Sequence, residues 1–198
     1  MTAIVVPFRG PDGKRRLGPA GDEARAALAL AMLADVLAAC AAVGRTVVVT
    51  GDDSARTVAV ELGVAALDDP GGGQGSAVAH ALALVPVAPA LVVNADVPCV
   101  VPDDLRALEA AIPAGGLALA EAADGTTNAL GLADPRLFRP LYGAGSADRF
   151  RALGRAVTVD VPSLAEDVDT LDDLQRLDAR VGPRTQMALA MAGLVPAT

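Results

Sequence analysis

The sequence predicts an α/β fold: one domain built on a mixed, mostly parallel sheet that is flanked by helices. Short apolar runs alternate with longer Ala-rich or amphipathic stretches along the chain, which is the pattern of repeated β-α-β units. The apolar side chains are mainly Ala, Val and Leu, and aromatic residues make up only 2% of the chain. The sequence has neither an internal repeat nor a long linker, so residues 1–198 are expected to form a single domain.

In the first half of the chain, the strands are apolar or β-branched runs bounded by turn residues. They are expected at residues 3–7, 46–50, 64–67 and 91–94. Asp22 can cap a helix that runs to residue 43, and Gly44 is typical of its end. Further helices are expected at residues 54–62, 76–85 and 103–112.

The second half continues the alternation with shorter elements. Strands or short apolar segments are expected at residues 117–120, 129–132 and 156–161, with a polar turn at 124–128 between the first two. Helices are expected at residues 146–153 and 171–180, and Thr170 can cap the second. The final segment, residues 182–198, is an apolar tail that can pack as a helix on the body or on a second subunit, which would make a homodimer.

Charge and composition exclude several classes of protein. A net charge of −8 repels phosphate backbones, so nucleic acid is an unfavourable partner. Residues 24–43 are long enough to raise the question of a membrane span, but charged residues such as Asp22 and Asp35 flank or interrupt them, so a packed helix and no membrane contact are expected. Cys40 and Cys99 lack the spacing of a metal site, and the chain opens without a secretion signal pattern. A cytoplasmic protein is therefore expected.

Asp96 is the first candidate for a functional residue. It follows the apolar run at residues 91–93, and ligands of open α/β sheets bind outside the carboxyl ends of the strands. A carboxylate in such a place is costly to desolvate unless it has a partner. The alternative is that Asp96 only closes the turn or caps the helix that starts near Pro102.

A second acidic segment contains Asp167 and Asp169, just before a predicted helix. In an extended segment, side chains two residues apart share one face. If this segment returns to Asp96, two or three carboxylates converge, and a like-charged pair at about 4 Å repels by roughly 4 kcal/mol at an effective dielectric of 20. Such a cluster requires a cation, and oxygen ligands beside a phosphate substrate favour Mg²⁺. The alternative is that Asp169 or Thr170 only caps the helix.

A basic loop follows the first strand. Its cations include Arg9, Lys14 and Arg16, and its glycines let backbone approach a ligand closely, as a triphosphate site needs. The loop is not a Walker A motif, because Lys14 is followed by Arg15 rather than Ser or Thr. The alternative is a solubilising loop.

Two uncharged regions could complete a binding site. The Gly-rich stretch that ends at Gly75 and Ser76 enters a helix, where backbone N–H groups can hold an anion or the polar edge of a base; the alternative is a flexible connection. Thr127, Gly143 and Ser146 offer hydroxyl groups and backbone amides to a second substrate that carries a phosphate or a carboxylate.

Taken in order, these motifs resemble the guanylyltransferases of deazaflavin coenzyme F-420 biosynthesis. That family, which includes 2-phospho-L-lactate and phosphoenolpyruvate guanylyltransferases, is similar to the broader nucleotidyltransferases with a GT-A-type, Rossmann-like fold. The similar segments are KRRL at 14–17, NADVP at 94–98, DGTTNAL at 124–130, YGAGS at 142–146, DVDT at 167–170 with DDL at 172–174, and GPRT at 182–185.

The resemblance implies transfer of GMP from GTP to a small phosphorylated three-carbon acid, with release of pyrophosphate. Phosphoenolpyruvate is the favoured acceptor, and 2-phospho-L-lactate and 3-phosphoglycerate are alternatives. It also implies that Mg²⁺ is bound by Asp96 and Asp169, with Asp167 as a third ligand. The other roles that it implies are triphosphate binding by Lys14, Arg9 and Arg16, guanosine binding near Gly75 and Ser76, and acceptor binding by Thr127, Gly143 and Ser146.

Two other functions stay open. One is a nucleotidyltransferase for the molybdenum cofactor or for a sugar phosphate, although the Gly-Gly-x-Ser/Thr-x-Arg-Met loop usual in those families is absent. The other is an inactive nucleotide-binding module that mediates interactions. Lys14, Asp96 and Asp169 are all present, which favours an enzyme.

Overall fold

The computed structural model describes residues 2–11, 17, 21–85 and 88–194. Lys14 and Arg16, which are predicted to bind the triphosphate, lie outside the described residues. The same is true of residues 195–198, the end of the predicted apolar tail.

A seven-stranded sheet forms the centre of the protein. Its order is β3-β2-β1-β4-β6-β5-β7, and all neighbours are parallel except that β6 runs antiparallel to both β4 and β5. The mixed, mostly parallel sheet predicted from the sequence is therefore confirmed. The strands are β1 (Ala3–Pro7), β2 (Arg45–Thr50), β3 (Ala65–Asp68), β4 (Ala90–Val93), β5 (Leu117–Glu121), β6 (Thr127–Leu132) and β7 (Ala156–Thr158).

Helices cover both faces of the sheet. They are α1 (Asp22–Ala41), α2 (Asp53–Glu61), α3 (Gln74–Leu84), α4 (Pro102–Ala110), α5 (Ser146–Arg151), α6 (Pro162–Ala165), α7 (Leu171–Leu177) and α8 (Pro183–Met191), and short 3₁₀ turns occupy Pro135–Leu137 and Asp178–Arg180.

Alternating strand side chains divide the core between the two faces. On β1, Ile4 and Val6 pack with α1 and α4, whereas Val5 packs on the opposite face with α3 and α5, as the two-residue period of a strand requires. A third apolar cluster joins α7 and α8 to α1, and it includes the buried Leu17 from the far end of the basic loop. The sheet therefore has both faces covered, which is typical of parallel sheets.

Helix α1 is a core helix. By length and composition it is apolar enough to cross a membrane, and it is the one such helix among the described residues. However, 56% of its most apolar window is buried inside the fold, where it packs on the sheet. Its apolar composition is explained by this packing, as the sequence predicts.

The C-terminal helix α8 is fastened to α1 through the buried carboxylate of Asp35. This carboxylate accepts hydrogen bonds from the backbone N–H of Arg184 and of Thr185, at 3.1 and 2.8 Å, and from the Thr185 hydroxyl, at 2.8 Å. Gly182 leaves room for this contact, because a Cβ there would lie 2.7 Å from the Cβ of Asp35. Residues 183–191 of the predicted tail thus pack as a helix on the body of the protein.

Some predicted boundaries were wrong. Thr127 and Asn128 do not belong to a polar turn but to β6, because the turn closes earlier, with a hydrogen bond from the Ala122 N–H to the Thr126 carbonyl. Strand β7 ends at Thr158 rather than at residue 161, and Pro162 starts the short helix α6.

Two helix ends also differ. Gly21, with φ at 83°, occupies the N-cap position of α1, so Asp22 is its first residue rather than its cap. The last predicted helix ends at Leu177, because Asp178 adopts φ at 47° and cannot continue an α-helix.

Candidate functional site

Three carboxylates converge beyond the carboxyl end of the central strand β4. Asp96 follows β4, Asp167 and Asp169 precede α7, and one oxygen from each lies within 4.8 Å of the others. A backbone hydrogen bond joins the two segments, because the N–H of Val168 donates to the carbonyl of Asp96 at 2.9 Å. Val168 itself is fully buried, so Asp167 and Asp169 lie on either side of an anchored residue. The segment with Asp167 and Asp169 therefore does return to Asp96, which was the condition for the three carboxylates to converge.

The capping alternatives do not account for the acidic residues. The N-cap of α4 is Val101, and its backbone N–H donates to the carboxylate of Asp104 rather than to Asp96. The N-cap of α7 is Thr170, which forms a capping box with Asp173. Thr170 is therefore a cap, as the alternative proposes, but Asp96 and Asp169 do not cap these helices.

Electrostatics make this cluster costly without a counterion. Burial and the neighbouring charge of Asp96 raise the pKa of Asp167 above its ordinary value, and a hydrogen bond from the amide of Asn128 partly offsets this. All three acidic residues are half-buried. Oxygen ligands at this spacing suit a hard divalent cation, which would remove the repulsion. Asp96, Asp167 and Asp169 could therefore hold a divalent metal ion.

A cavity of about 300 Å³ opens beside the cluster, at the carboxyl ends of β1 and β4. This is the place where open α/β sheets bind ligands, and the volume is at the lower end of the range for small-molecule sites. Of the predicted triphosphate ligands, Arg9 lines this cavity with its side chain exposed. The lining comprises Pro7, Phe8, Arg9, Gly10, Ala29, Met32, Gln74, Asn94, Ala95, Asp96 and Asp169.

The predicted guanosine residues lie next to this cavity but do not line it. Gly75 packs against Pro140, because a Cβ at Gly75 would lie 2.7 Å from the Cβ of that proline. The preceding residue, Gln74, is the one whose side chain reaches the cavity. Contact of Gly75 and Ser76 with guanosine stays a prediction.

The predicted acceptor residues lie together at the start of β6 and of α5. The hydroxyl groups of Thr127 and Ser146 are 3.1 Å apart, and both residues are buried. Gly143 is exposed and has φ at 109°. The Arg149 guanidinium holds this loop by donating to four consecutive carbonyls, from Leu141 to Ala144. A role in acceptor binding stays a prediction.

Three side-chain amides beside the cluster had no predicted role. Gln74, Asn94 and Asn128 are joined by hydrogen bonds, and Asn128 reaches Asp167. Asn94 follows β4 and Asn128 is near the start of β6. Because these two strands pair antiparallel, both residues lie at the same end of the strands. A polar residue at the start of an antiparallel strand is the pattern that could have indicated Asn128.

Comparison with known proteins gives a consistent result. Residues 15–167 match the model of the MobA-like NTP transferase domain. The chain is 41% identical to a phosphoenolpyruvate guanylyltransferase of Streptomyces scabiei, with 94% of this chain and 95% of that protein covered. It is 38% identical to the enzyme of the same name from Sphaerobacter thermophilus, with 89% and 93% covered.

Solved structures with low sequence identity share the fold. A putative nucleotide-diphospho-sugar transferase from Desulfovibrio desulfuricans superposes with a TM-score of 0.77 at 18% identity, and 98% of this chain and 96% of that chain are covered. CMP:2-keto-3-deoxy-manno-octonic acid synthetase, solved with CTP, gives a TM-score of 0.59 at 14% identity, with 96% and 99% covered. At these identities the likeness concerns the fold alone, and that fold is the Rossmann-like architecture predicted from the sequence.

Proposed function

The chain belongs to the phosphoenolpyruvate guanylyltransferase family and matches the MobA-like NTP transferase domain, and we propose that it transfers GMP from GTP to phosphoenolpyruvate. Pyrophosphate is the second product, and the guanylylated acid would enter coenzyme F-420 biosynthesis. One observation carries the proposal most directly: three carboxylates converge beside a cavity at the carboxyl ends of β1 and β4.

The reaction is an in-line displacement at the α-phosphorus of GTP. An oxygen of the acceptor's phosphate forms a bond to this phosphorus, and the bond to the bridging oxygen between the α- and β-phosphates breaks. The nucleophile is already an anion, so no general base is needed. The protein has to bring two anions together and neutralise their charge, which makes positioning and electrostatics the main contributions.

The acidic cluster and the basic loop divide this task. Asp96 and Asp169, with Asp167 as a third ligand, would hold Mg²⁺, which when bound neutralises phosphate charge and orients the reacting groups. Arg9 at the cavity supplies a cation for the triphosphate. Lys14 and Arg16, which lie outside the described residues, are proposed to act with it.

Uncharged groups would select the two substrates. Gln74 and Asn94 line the cavity, next to the predicted Gly75 and Ser76. The Gln74 amide can donate to or accept from the guanosine, and Asn94 Oδ1 can accept from it, because the Asn94 amide nitrogen is already hydrogen-bonded to β6. Thr127, Gly143 and Ser146 would hold the phosphate or carboxylate of the acceptor. 2-Phospho-L-lactate and 3-phosphoglycerate carry the same two kinds of group, so they are the acceptors to compare with phosphoenolpyruvate.

The setting of the reaction is also a proposal. Cys40 and Cys99 are both free thiols, which suits the reducing conditions of the cytoplasm. Met187 and Met191 on α8 are exposed apolar side chains, which would suit the predicted homodimer.

A competition experiment tests the proposed substrates. The purified protein is incubated with Mg²⁺, GTP and an equimolar mixture of the three acceptors, and the products are identified by mass spectrometry. The expected main product has the mass of phosphoenolpyruvate joined to GMP. Parallel incubations replace GTP by CTP, or the three acids by a sugar phosphate. A product that forms only in one of these would overturn the assignment, and the absence of product with every donor and acceptor would favour a binding module.

A further inference from the structure

Gln74, Asn94 and Asn128 form a directed chain of hydrogen bonds, which we name the amide relay. The Gln74 amide nitrogen donates to Asn94 Oδ1 at 2.7 Å, and Asn94 Nδ2 donates to Asn128 Oδ1 at 3.4 Å. Asn128 Nδ2 then donates to Asp167 Oδ1 at 3.3 Å. The relay therefore starts at the cavity wall and ends on a carboxylate of the acidic cluster.

The backbone fixes the direction of the relay. Asn94 Nδ2 also donates to the main-chain carbonyl of Thr127 at 3.3 Å, and a carbonyl can only accept. The nitrogen side of the Asn94 amide must then face β6, and its oxygen faces Gln74. Asn128 in turn presents its oxygen to Asn94 and its nitrogen to Asp167. A reversed Asn128 amide would place an oxygen against the carboxylate and lose both bonds.

Burying the Asn128 amide costs free energy, and packing of the sheet does not require an amide at this position. Asn128 is only 2% exposed, and a buried amide is unfavourable unless its groups are hydrogen-bonded. An apolar side chain at this strand position would pack in the sheet without that requirement. Gln74 and Asn94 are half-exposed, and they line the cavity. The buried end of the relay thus acts on Asp167, and the other end faces the place proposed for GTP.

We propose that Asn128 is a positioning residue for the divalent cation: it orients the carboxylate of Asp167, and Asn94 and Gln74 fix the orientation of its amide. Groups that hydrogen-bond to metal ligands commonly change metal affinity 10- to 100-fold. The inference rests on the acidic cluster being the metal site of the proposed function. Its test is chosen to separate failure of the metal site from failure of the relay.

Mn²⁺ binding to the full chain, measured by electron paramagnetic resonance without nucleotide, reports metal affinity independently of turnover. Asn128→Leu keeps the branching and the number of heavy atoms of the side chain and removes the donor, so its Mn²⁺ dissociation constant should rise about 10- to 100-fold. Gln175→Met, at an exposed position on α7 outside the relay, is the matched control and should bind Mn²⁺ as the wild type does. Circular dichroism confirms that each variant is folded.

A double-mutant cycle separates a direct effect on Asp167 from a general structural effect. In the Asp167→Asn background, Asn128→Leu should weaken Mn²⁺ binding by less than about twofold, because the carboxylate on which it acts is gone. If Asn128→Leu fails to fold, Asn94→Ala takes its place at a half-exposed position, and a rise of at least about threefold is expected because the Asn128 amide loses its fixed orientation.

The outcomes distinguish a wrong assignment of the metal site from a wrong assignment of the amide relay. Wild-type protein that binds no Mn²⁺ overturns the metal site, and the positioning role with it. Wild-type binding with an unchanged dissociation constant in Asn128→Leu, or in Asn94→Ala if the first variant is unfolded, overturns the relay alone. An equal loss in the wild-type and Asp167→Asn backgrounds also overturns it, because the effect would then not pass through Asp167.

Discussion

Replacing Asp167 by Asn should make the metal-free protein more stable. Two unit charges 4.8 Å apart repel by about 3.5 kcal/mol at an effective dielectric of about 20, and Asp167 faces both Asp96 and Asp169 within that distance. The residues are half-buried, so solvent screens part of this, and a net gain of about 1–2 kcal/mol is expected. Asn keeps the shape of Asp and can still accept the hydrogen bond from Asn128 with its own carbonyl oxygen.

The stability gained by Asp167→Asn in the metal-free protein should decrease as the pH falls. Burial and Asp96 raise the pKa of Asp167 in the folded, metal-free protein above the ordinary value of 3.8. The stability that protonated Asp167 contributes is fully present below the unfolded-state pKa and is lost as the pH rises through the folded-state pKa. The advantage of Asp167→Asn should therefore be large at pH 7 and should shrink as the pH falls toward about 4.

Thermal unfolding in EDTA and in Mg²⁺ measures both effects. In EDTA at pH 7 the midpoint of Asp167→Asn should lie about 2–8 °C above that of the wild type, since 1 kcal/mol corresponds to about 2–4 °C at this chain length. In Mg²⁺ the wild type should gain more than the variant, because a bound ion stabilises the folded state.

The control is Asp172→Asn, which removes an exposed carboxylate on α7 outside the cluster and should give no gain in EDTA. A variant Asp167→Asn that is less stable than the wild type in EDTA at pH 7 would refute the reasoning.

Three further predictions concern other parts of the molecule. Asp35→Ala removes three hydrogen bonds to a buried carboxylate and should lower the free energy of unfolding by about 3 kcal/mol in urea titrations; a loss below about 1 kcal/mol would contradict this account of α8. Gly182→Ala forces the same carboxylate to move and should cost about 1–3 kcal/mol, whereas Gly51→Ala, with open space around it, should cost less than about 1 kcal/mol; equal costs would disagree with the packing. Arg9→Ala should raise KM for GTP about tenfold with little change in kcat, and an unchanged KM in steady-state kinetics would remove Arg9 from the triphosphate site.

The sequence predicts the architecture well because that architecture follows from local patterns. Apolar runs alternating with helical stretches predict the parallel strands, and the strand-end position of Asp96 indicates the edge at which the cavity lies. The spacing of Asp167 and Asp169 predicts a shared face, and the hydrogen bond from Val168 to Asp96 supplies the long-range contact that spacing alone could not establish.

The remaining features depend on pairings between distant parts of the chain. The position of β6 between β4 and β5 is set by antiparallel pairing, and it brings Asn128 from an apparent turn into a buried strand. Gly75 is predicted to lie near the guanosine, and the structure adds that it packs against Pro140 while its neighbour Gln74 lines the cavity. Both contacts join residues that are distant in the sequence, so local patterns alone do not establish them.

Turnover by Asp96→Ala tests the proposed reaction at the acidic cluster most directly. Pyrophosphate release is measured with GTP, Mg²⁺ and phosphoenolpyruvate, for the wild type and for the variant, with circular dichroism to establish that both are folded. The wild type should form the guanylylated acid, and the variant should be slower by at least about 100-fold, because the loss of a metal ligand removes several kcal/mol of stabilisation from the transition state. A folded variant that retains activity within about tenfold of the wild type would contradict the assignment of Asp96 to the metal and of this cluster to the reaction.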